Sequence, residues 1–281
     1  MTDPASAETP ESPESPESPE SPETATFHAD LRDLALAAAQ VGAHAILREL
    51  RRGDLRVETK AHAADFVTTA DQAAEVAVLG LIRSARPDDA ILAEESGSHA
   101  GTSGVRWLVD PLDGTMNFVH GRRDYAVSVG VEHEGSIVAG AIVRPADGDW
   151  AAAGGGEAVA RDATPRVSVA SDLTDSLVGI GLPSPMEQRV RVHGMLGELM
   201  YRARDYRRTG SSACEMLSVA TGAQEGYLGF GVNIWDVAAG IALVEEAGGT
   251  TQWLTTASGI EVLVAGTPGV VDALVELAKV V

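Results

Sequence analysis

Two carboxylates three residues apart, Asp110 and Asp113 in the segment W-L-V-D-P-L-D-G-T-M-N-F-V-H-G (residues 107–121), form the pair best suited to holding a cation. Pro111 fixes φ between them, so a turn at the end of an apolar strand can aim both side chains and the Leu112 carbonyl at one point. The next amides, Gly114 and Thr115, fall where a following helix begins. Unpaired amide donors at the positive end of a helix dipole suit a phosphate oxygen there. Alone, D-G-T also fits a plain Asp-Gly turn followed by a cap. What favours chemistry is the company of further acids. Asp71, Glu94 and Asp236 also stand at the ends of expected elements, beside Gly, Thr, Pro or Trp. Each by itself reads as a cap or a solvated acid, and Asp236 in W-D-V-A-A-G suits the start of a helix without any ligand. As a set, with no His or Cys cluster at zinc spacing, these oxygen donors point to Mg²⁺.

The elements that would position them follow from periodicity. Residues 28–52 repeat apolar side chains at helical spacing and end at Arg51-Arg52-Gly53, and a second helix fits residues 70–84, with Asp71 and Glu75 near its start. Ala90-Ile91-Leu92-Ala93 and Trp107-Leu108-Val109 read as strands whose carboxyl ends carry Glu94 and Asp110. Residues 125–132 and 136–143 make a hairpin about Glu134-Gly135, and residues 150–153 add a further strand. From Leu177 the pattern alternates strand and helix. Strands are expected at 177–182, 206–208, 226–230, 250–254 and 261–265, and helices at 186–201, 211–221, 235–247 and 270–279. The fold class expected is α/β (α+β). Its N-terminal α+β domain, residues 27–155, carries most of the acids, and a C-terminal α/β domain, residues 156–281, completes the site.

The chain has 281 residues, 44% of them hydrophobic, which is enough for one large core or two smaller ones. Lys plus Arg number 21 against 41 Asp plus Glu, giving a net charge of −20; residues 1–26 hold seven acids and no base, which leaves −13 on the remainder. Such a balance argues against nucleic acid or an anionic membrane as partner and fits cation binding. Residues 11–22 are four copies of Glu-Ser-Pro, so residues 1–26 are expected to form a disordered acidic tail. No signal peptide and no run of apolar residues long enough to span a membrane is seen, so a cytoplasmic protein is expected. The one cysteine, Cys214, reads as a small core-facing helix residue and not as a catalytic thiol.

The segments D-F-V-T-T-A-D-Q-A-A-E, A-E-E-S-G, W-L-V-D-P-L-D-G-T-M-N-F-V-H-G and W-D-V-A-A-G-I-A-L-V-E-E-A-G-G occur in the order and spacing of the inositol monophosphatase family. The chain resembles that family from about Leu31 onward. The resemblance implies a Mg²⁺-dependent, Li⁺-inhibited phosphomonoesterase, a homodimer built as a layered α-β-α-β-α sandwich. It also implies roles for single residues. Glu94, Asp110 and the Leu112 carbonyl match a first metal site, and Asp110, Asp113 and Asp236 a second. Glu94 faces a third, weaker ion. Asp71 and Thr115 match the pair that orients and deprotonates the attacking water, and the Gly114 and Thr115 amides match the phosphate cradle. Lys60 falls where members carry a lysine near the metal waters, although by itself it reads as a surface charge.

The substrate is less well defined. Members that prefer inositol phosphate carry a glutamate seven residues before the aspartate of W-D-x-A-A-G, and here that position is Gly229. Gly210-Ser211-Ser212 resembles the family's substrate loop, with Ser212 in place of an alanine. Arg207, Arg208 and Asn233 are candidates for the leaving-group pocket, the arginines also reading as solvated or interdomain charges. The expected activity is hydrolysis of a small phosphate monoester, with inositol 1-phosphate as the family's default. Histidinol phosphate, fructose 1,6-bisphosphate or another sugar phosphate, and a 3′-phosphonucleotide are alternatives. A regulatory role in protein binding, as in some bacterial relatives, is a reading of a different class.

Overall fold

The computed structural model describes residues 21–59 and 66–281. The first helix, α1 (Pro22–Arg52), starts earlier than periodicity suggests. Ser21 caps it through a 3.2 Å hydrogen bond from the Thr24 amide, Pro22 occupies the first turn, and Gly53 at φ 74° closes the far end. The expected disordered tail therefore ends too late at residue 26. The last Ser-Pro-Glu is itself a helix start, with a capping hydroxyl, a preset φ and an acid in the first turn. Lys60 lies outside the described residues.

A short antiparallel pair, β1 (Val57–Thr59) and β2 (Phe66–Thr68), leads into α2 (Thr69–Ala85). Then follow β3 (Ala90–Ala93), β4 (Gly97–His99), β5 (Val105–Asp113), α3 (Thr115–Val119), β6 (Ala126–His133), β7 (Ser136–Arg144), β8 (Asp149–Gly154) and β9 (Ala158–Ala160). These seven strands form one sheet in the order β4-β3-β5-β6-β7-β8-β9. Because β9 still pairs with β8, the sheet runs past the boundary expected near residue 155. The second half consists of β10 (Leu177–Gly181), α4 (Met186–Arg202), β11 (Asp205–Arg207), α5 (Ser212–Ala220), β12 (Gly226–Phe230), α6 (Ile234–Glu246), β13 (Thr250–Thr255), β14 (Glu261–Gly266) and α7 (Pro268–Ala278). Its five strands are ordered β11-β10-β12-β14-β13.

The layers alternate helix and sheet. Helices α1 and α2 cover one face of the larger sheet through Leu31, Ile46, Val78 and Ile82, which meet Val127, Val129 and Val131. Helices α5 and α6 lie between the two sheets, and α4 and α7 cover the outer face of the smaller one. This is the α-β-α-β-α sandwich that the resemblance implies. The alternation along β6 explains why the middle layer sits so close: valines point toward α1 and α2, while Ala126, Ser128 and Gly130 point toward α6. A Cβ on Gly130 would lie 2.5 Å from the Ala238 Cβ, and one on Gly140 2.5 Å from the Ala239 Cα. No helix among the described residues is long and apolar enough to cross a membrane.

Seating of α6 on this small-residue face brings its first turn to the edge of the larger sheet. Gly140→Ala should therefore lower stability by about 1–3 kcal/mol, read as a shifted urea midpoint. An unchanged midpoint would show that α6 does not depend on the contact.

Candidate metal and phosphate site

Strands β3 and β5 are parallel with Ala93 opposite Val109, so the residues that follow, Glu94 and Asp110, emerge side by side at one sheet edge. The Glu94 amide donates to the Val109 carbonyl at 3.1 Å and fixes this register. On the other side of β5, Asp110 pairs with Ser128 but Asp113 pairs with Ala126, so one extra residue is accommodated between them. In a regular strand, residues three apart face opposite sides of the sheet. The bulge removes that alternation and turns Asp110 and Asp113 toward the same region, and Pro111 is tolerated there because a bulge interrupts the ladder. The Leu112 amide donates to Asp110 Oδ1 at 2.9 Å.

The remaining acids come from helix starts. Asp71 is the third residue of α2, and its Oδ2 accepts from the Thr68 amide at 2.8 Å and from Thr68 Oγ1 at 2.5 Å. Asp236 holds the same position in α6 and accepts from the Asn233 amide at 3.0 Å. Asp113 meets the first turn of α5, accepting from Ser211 Oγ and the Ala213 amide, each at 2.6 Å. Thr115 Oγ1 lies 3.0 Å from both Asp71 Oδ1 and the Leu112 carbonyl oxygen. Gly114, at φ 89°, precedes it, and a Cβ there would come within 2.7 Å of the Asp124 carbonyl oxygen. Asn117 ties this turn to the next loop, its Nδ2 donating to the Asp124 carbonyl at 2.7 Å and to the Thr209 carbonyl at 3.0 Å.

Burial of so many acids raises their proton affinity. Burial pushes Asp71 up to about 6 against the opposing hydrogen bonds from Thr68 and Thr115. Asp110 is held well above the usual carboxylate range by burial and then by Glu94, Asp113 and Asp236. Asp236 is raised by burial and by Asp113, and Asp113 by burial despite its Ser211 and Ala213 donors. Among the described residues, no lysine or arginine forms an ion pair with Asp110, Asp113 or Asp236. Hard oxygen donors of this kind fit a divalent cation such as Mg²⁺. Among the described residues no three such side chains enclose a single metal position. Cys214 sits buried in α5 with its thiol pushed up to about 12, as a packing residue and not a nucleophile.

Beside the acids lies a cavity of about 120 Å³ whose lining includes Arg208, Gly210, Ser211, Ser212, Asn233 and Asp236. Arg207 is not part of it and instead pairs with Asp205 at 2.5 Å on the surface. Gly229 lies in β12 opposite Gly181, and a Cβ there would be 2.8 Å from Tyr227 Cε1. The buried Tyr227 ring thus fills the space next to the position where a polyol-binding glutamate was sought. Its hydroxyl donates to Ser212 Oγ at 2.8 Å. The sequence reading overlooked Thr68, Asn117, Ser128 and Tyr227 as positioning residues. Thr68 was detectable as the start of a T-x-x-D capping pattern, whereas Asn117, Ser128 and Tyr227 act through contacts distant in sequence.

A carboxylate whose folded pKa is raised favours the fold below its unfolded value, near 3.8, and loses that advantage as pH rises through the folded value. A cation bound to the ionised set offsets the loss by mass action. Mg²⁺ should therefore raise the melting temperature more at pH 7.5 than at pH 5. Equal shifts at both values would contradict binding to these acids.

The model of the inositol monophosphatase family matches residues 29–277. The chain is 34% identical over 247 residues to the Nus factor SuhB of Salmonella typhimurium, covering 86% of this chain and 92% of that protein. It is 40% identical over 191 residues to the inositol-1-monophosphatase of Mesorhizobium japonicum, covering 66% of this chain and 71% of that one. The crystal structure of the extragenic suppressor protein suhB from Bartonella henselae superposes with a TM-score of 0.80 at 32% identity, covering 89% of this chain and 99% of that chain. With the family model spanning nearly the whole described fold and these relatives aligned along most of their lengths, the chain belongs to the inositol monophosphatase family.

Proposed function

We propose that this protein hydrolyses a small phosphate monoester with Mg²⁺ as cofactor. The observation that carries the reading is the β5 bulge, which brings Asp110 and Asp113 to one side, next to Glu94 and Asp236 and beside a cavity large enough for a phosphoryl group. Two to three magnesium ions held by Glu94, Asp110, the Leu112 carbonyl, Asp113 and Asp236 would supply Lewis acidity, acidifying the attacking water and neutralising phosphoryl charge.

The chain's own groups do the rest. Asp71, ionised at neutral pH with a pKa of about 6, lies 3.0 Å from the Thr115 hydroxyl and accepts its proton, so Thr115 can take one in turn from water. The amides of Gly114 and Thr115 hold the phosphoryl oxygens in line for attack, and the Gly210-Ser211-Ser212 turn, which lines the cavity, faces the leaving portion. No covalent phosphoenzyme is needed, and the buried Cys214 thiol is unsuited to forming one. Inositol 1-phosphate is the first substrate to try, given the relative named inositol-1-monophosphatase. The steric block at Gly229 keeps histidinol phosphate, sugar phosphates and 3′-phosphonucleotides in contention.

A second reading, a binding role alongside catalysis, is favoured by the curated relatives named Nus factor SuhB. The two are separable, because an Asp110→Asn variant that still captures a protein partner while losing turnover would show binding independent of chemistry.

Phosphate release from inositol 1-phosphate, histidinol phosphate, fructose 1,6-bisphosphate and 3′-phosphoadenosine 5′-phosphate, each with and without Mg²⁺, tests the main reading. Release is expected only with the metal. Asp110→Asn and Asp236→Asn should each remove detectable turnover while a cooperative melt persists, since both keep side-chain volume. Thr115→Val should lower kcat by about 10²–10⁴-fold. An active Asp110→Asn variant with ordinary Mg²⁺ dependence would sink the assignment.

A further inference from the structure

Away from Asp236, the side chains of the cavity beside the carboxylates offer a ligand hydrogen-bond donors. Tyr227 donates to Ser212 Oγ, so the Ser212 proton remains for an acceptor in the cavity. The buried Glu215 also lines it, but both of its oxygens are engaged: Oε1 accepts from the Thr209 amide at 2.7 Å and Oε2 from Gln224 Nε2 at 2.9 Å. Gly229 contributes no carboxylate, and the Tyr227 ring leaves no room for one. A neutral polyol, whose hydroxyls need acceptors as well as donors, is poorly matched to such a wall.

Arg208 is the cationic member of that wall. Its neighbour Arg207 is neutralised by Asp205, but Arg208 makes no ion pair or hydrogen bond among the described residues. A second cation that acts on it is Arg189, whose Nε donates to the Pro183 carbonyl at 2.6 Å, next to Ser184 of the cavity lining. Burial at the cavity and the charge of Arg189 hold Arg208 below the ordinary arginine range. Glu215 offsets this only in part, since Arg208 stays below its ordinary range, and a bound anion would relieve the remainder.

We propose that the phosphate monoester hydrolysed here carries a second anionic group, phosphate or carboxylate, on its leaving portion, and that Arg208 together with Ser212 receives it. This inference rests on the phosphomonoesterase reading above and narrows its substrate class. The reacting phosphoryl group occupies the carboxylate and amide end, and the second anion selects the ester without taking part in bond breaking. Arg208 is thus a specificity-determining residue, and its effect falls on KM more than on kcat.

The test uses matched pairs with the full chain and saturating Mg²⁺: fructose 1,6-bisphosphate against fructose 1-phosphate, and 2-phosphoglycerate against glycerol 2-phosphate. The first pair differs by a phosphate and the second by a carboxylate, so the favoured pair identifies the anion. In at least one pair the doubly anionic ester should show a kcat/KM about ten- to hundredfold higher, the size of a charge-assisted hydrogen bond. Arg208→Gln should erase that preference, and Arg208→Lys should restore part of it. Equal kcat/KM within both pairs, or a preference that survives Arg208→Gln, overturns the inference while Mg²⁺-dependent release keeps the phosphatase reading intact. Absence of release from all four esters overturns the inference, and absence from the inositol 1-phosphate, histidinol phosphate and 3′-phosphoadenosine 5′-phosphate panel as well overturns the phosphatase reading.

Discussion

The site depends on one extra residue in β5. Strand geometry sends side chains three apart to opposite faces, and without the bulge at Pro111-Leu112 either Asp110 or Asp113 would point into the apolar layer beneath α1 and α2. The bulge also exposes the Leu112 carbonyl to Thr115 and ends the ladder early enough for α3 to begin. A local irregularity, supported on both sides by regular pairing, thus converts a sheet edge into a set of oxygen donors. Parallel pairing with β3 adds Glu94, and Ser128, opposite Asp110, holds the Trp235 carbonyl at 3.2 Å and so fixes the turn that carries Asp236.

Such a concentration of buried acids opposes folding, and the fold offsets part of the cost with helix starts. Asp71 and Asp236 each accept an amide at the head of their own helix, and Asp113 does so at the head of α5. Positive helix ends and amide donors favour the ionised form, whereas burial and mutual repulsion favour the protonated one. Repulsion and burial win, since all four aspartates stay above the ordinary range. The residual imbalance is the physical argument for a divalent cation. Asp236 is at once the acid at the head of α6 and a member of this cluster. One carboxylate oxygen accepts from the Asn233 amide, and the side chain also meets Asp110.

Long periodic elements were legible in the sequence: α2, α4 and α6 fall within a residue or two of expectation, because their apolar stripes face continuous layers. Of the three-residue strands, β1, β2, β4 and β9 were not, since so short a run carries little alternation, whereas β11 was legible because it falls between two expected helices. The start of α1 was lost for another reason. Ser21-Pro22-Glu23 belongs to a repeat that reads as a tail, and only its last copy adjoins an apolar helix that can extend into it. The acids themselves were readable from residue type and spacing. Their neighbourhood was not, because the Glu94–Asp110 register and the contacts of Asn117 and Tyr227 join segments far apart in the chain.

The carboxylate cluster and the cavity beside it are constrained differently. Residues of the carboxylate cluster have structural duties as well: Asp71 caps α2, Asp113 anchors the start of α5, and Gly114 leaves space that the Asp124 carbonyl requires. Substitution there disturbs the fold and the chemistry together. The cavity is bordered by β12 and the loops that lead into α4 and α5, where Gly181 and Gly229 make room for the Tyr227 ring. Exchange of a glycine and an aromatic residue in that layer changes which hydrogen-bonding groups face the cavity and leaves the carboxylates untouched. A scaffold divided in this way can keep one reaction and alter its substrate through few residues, because the expensive electrostatic arrangement is not renegotiated each time.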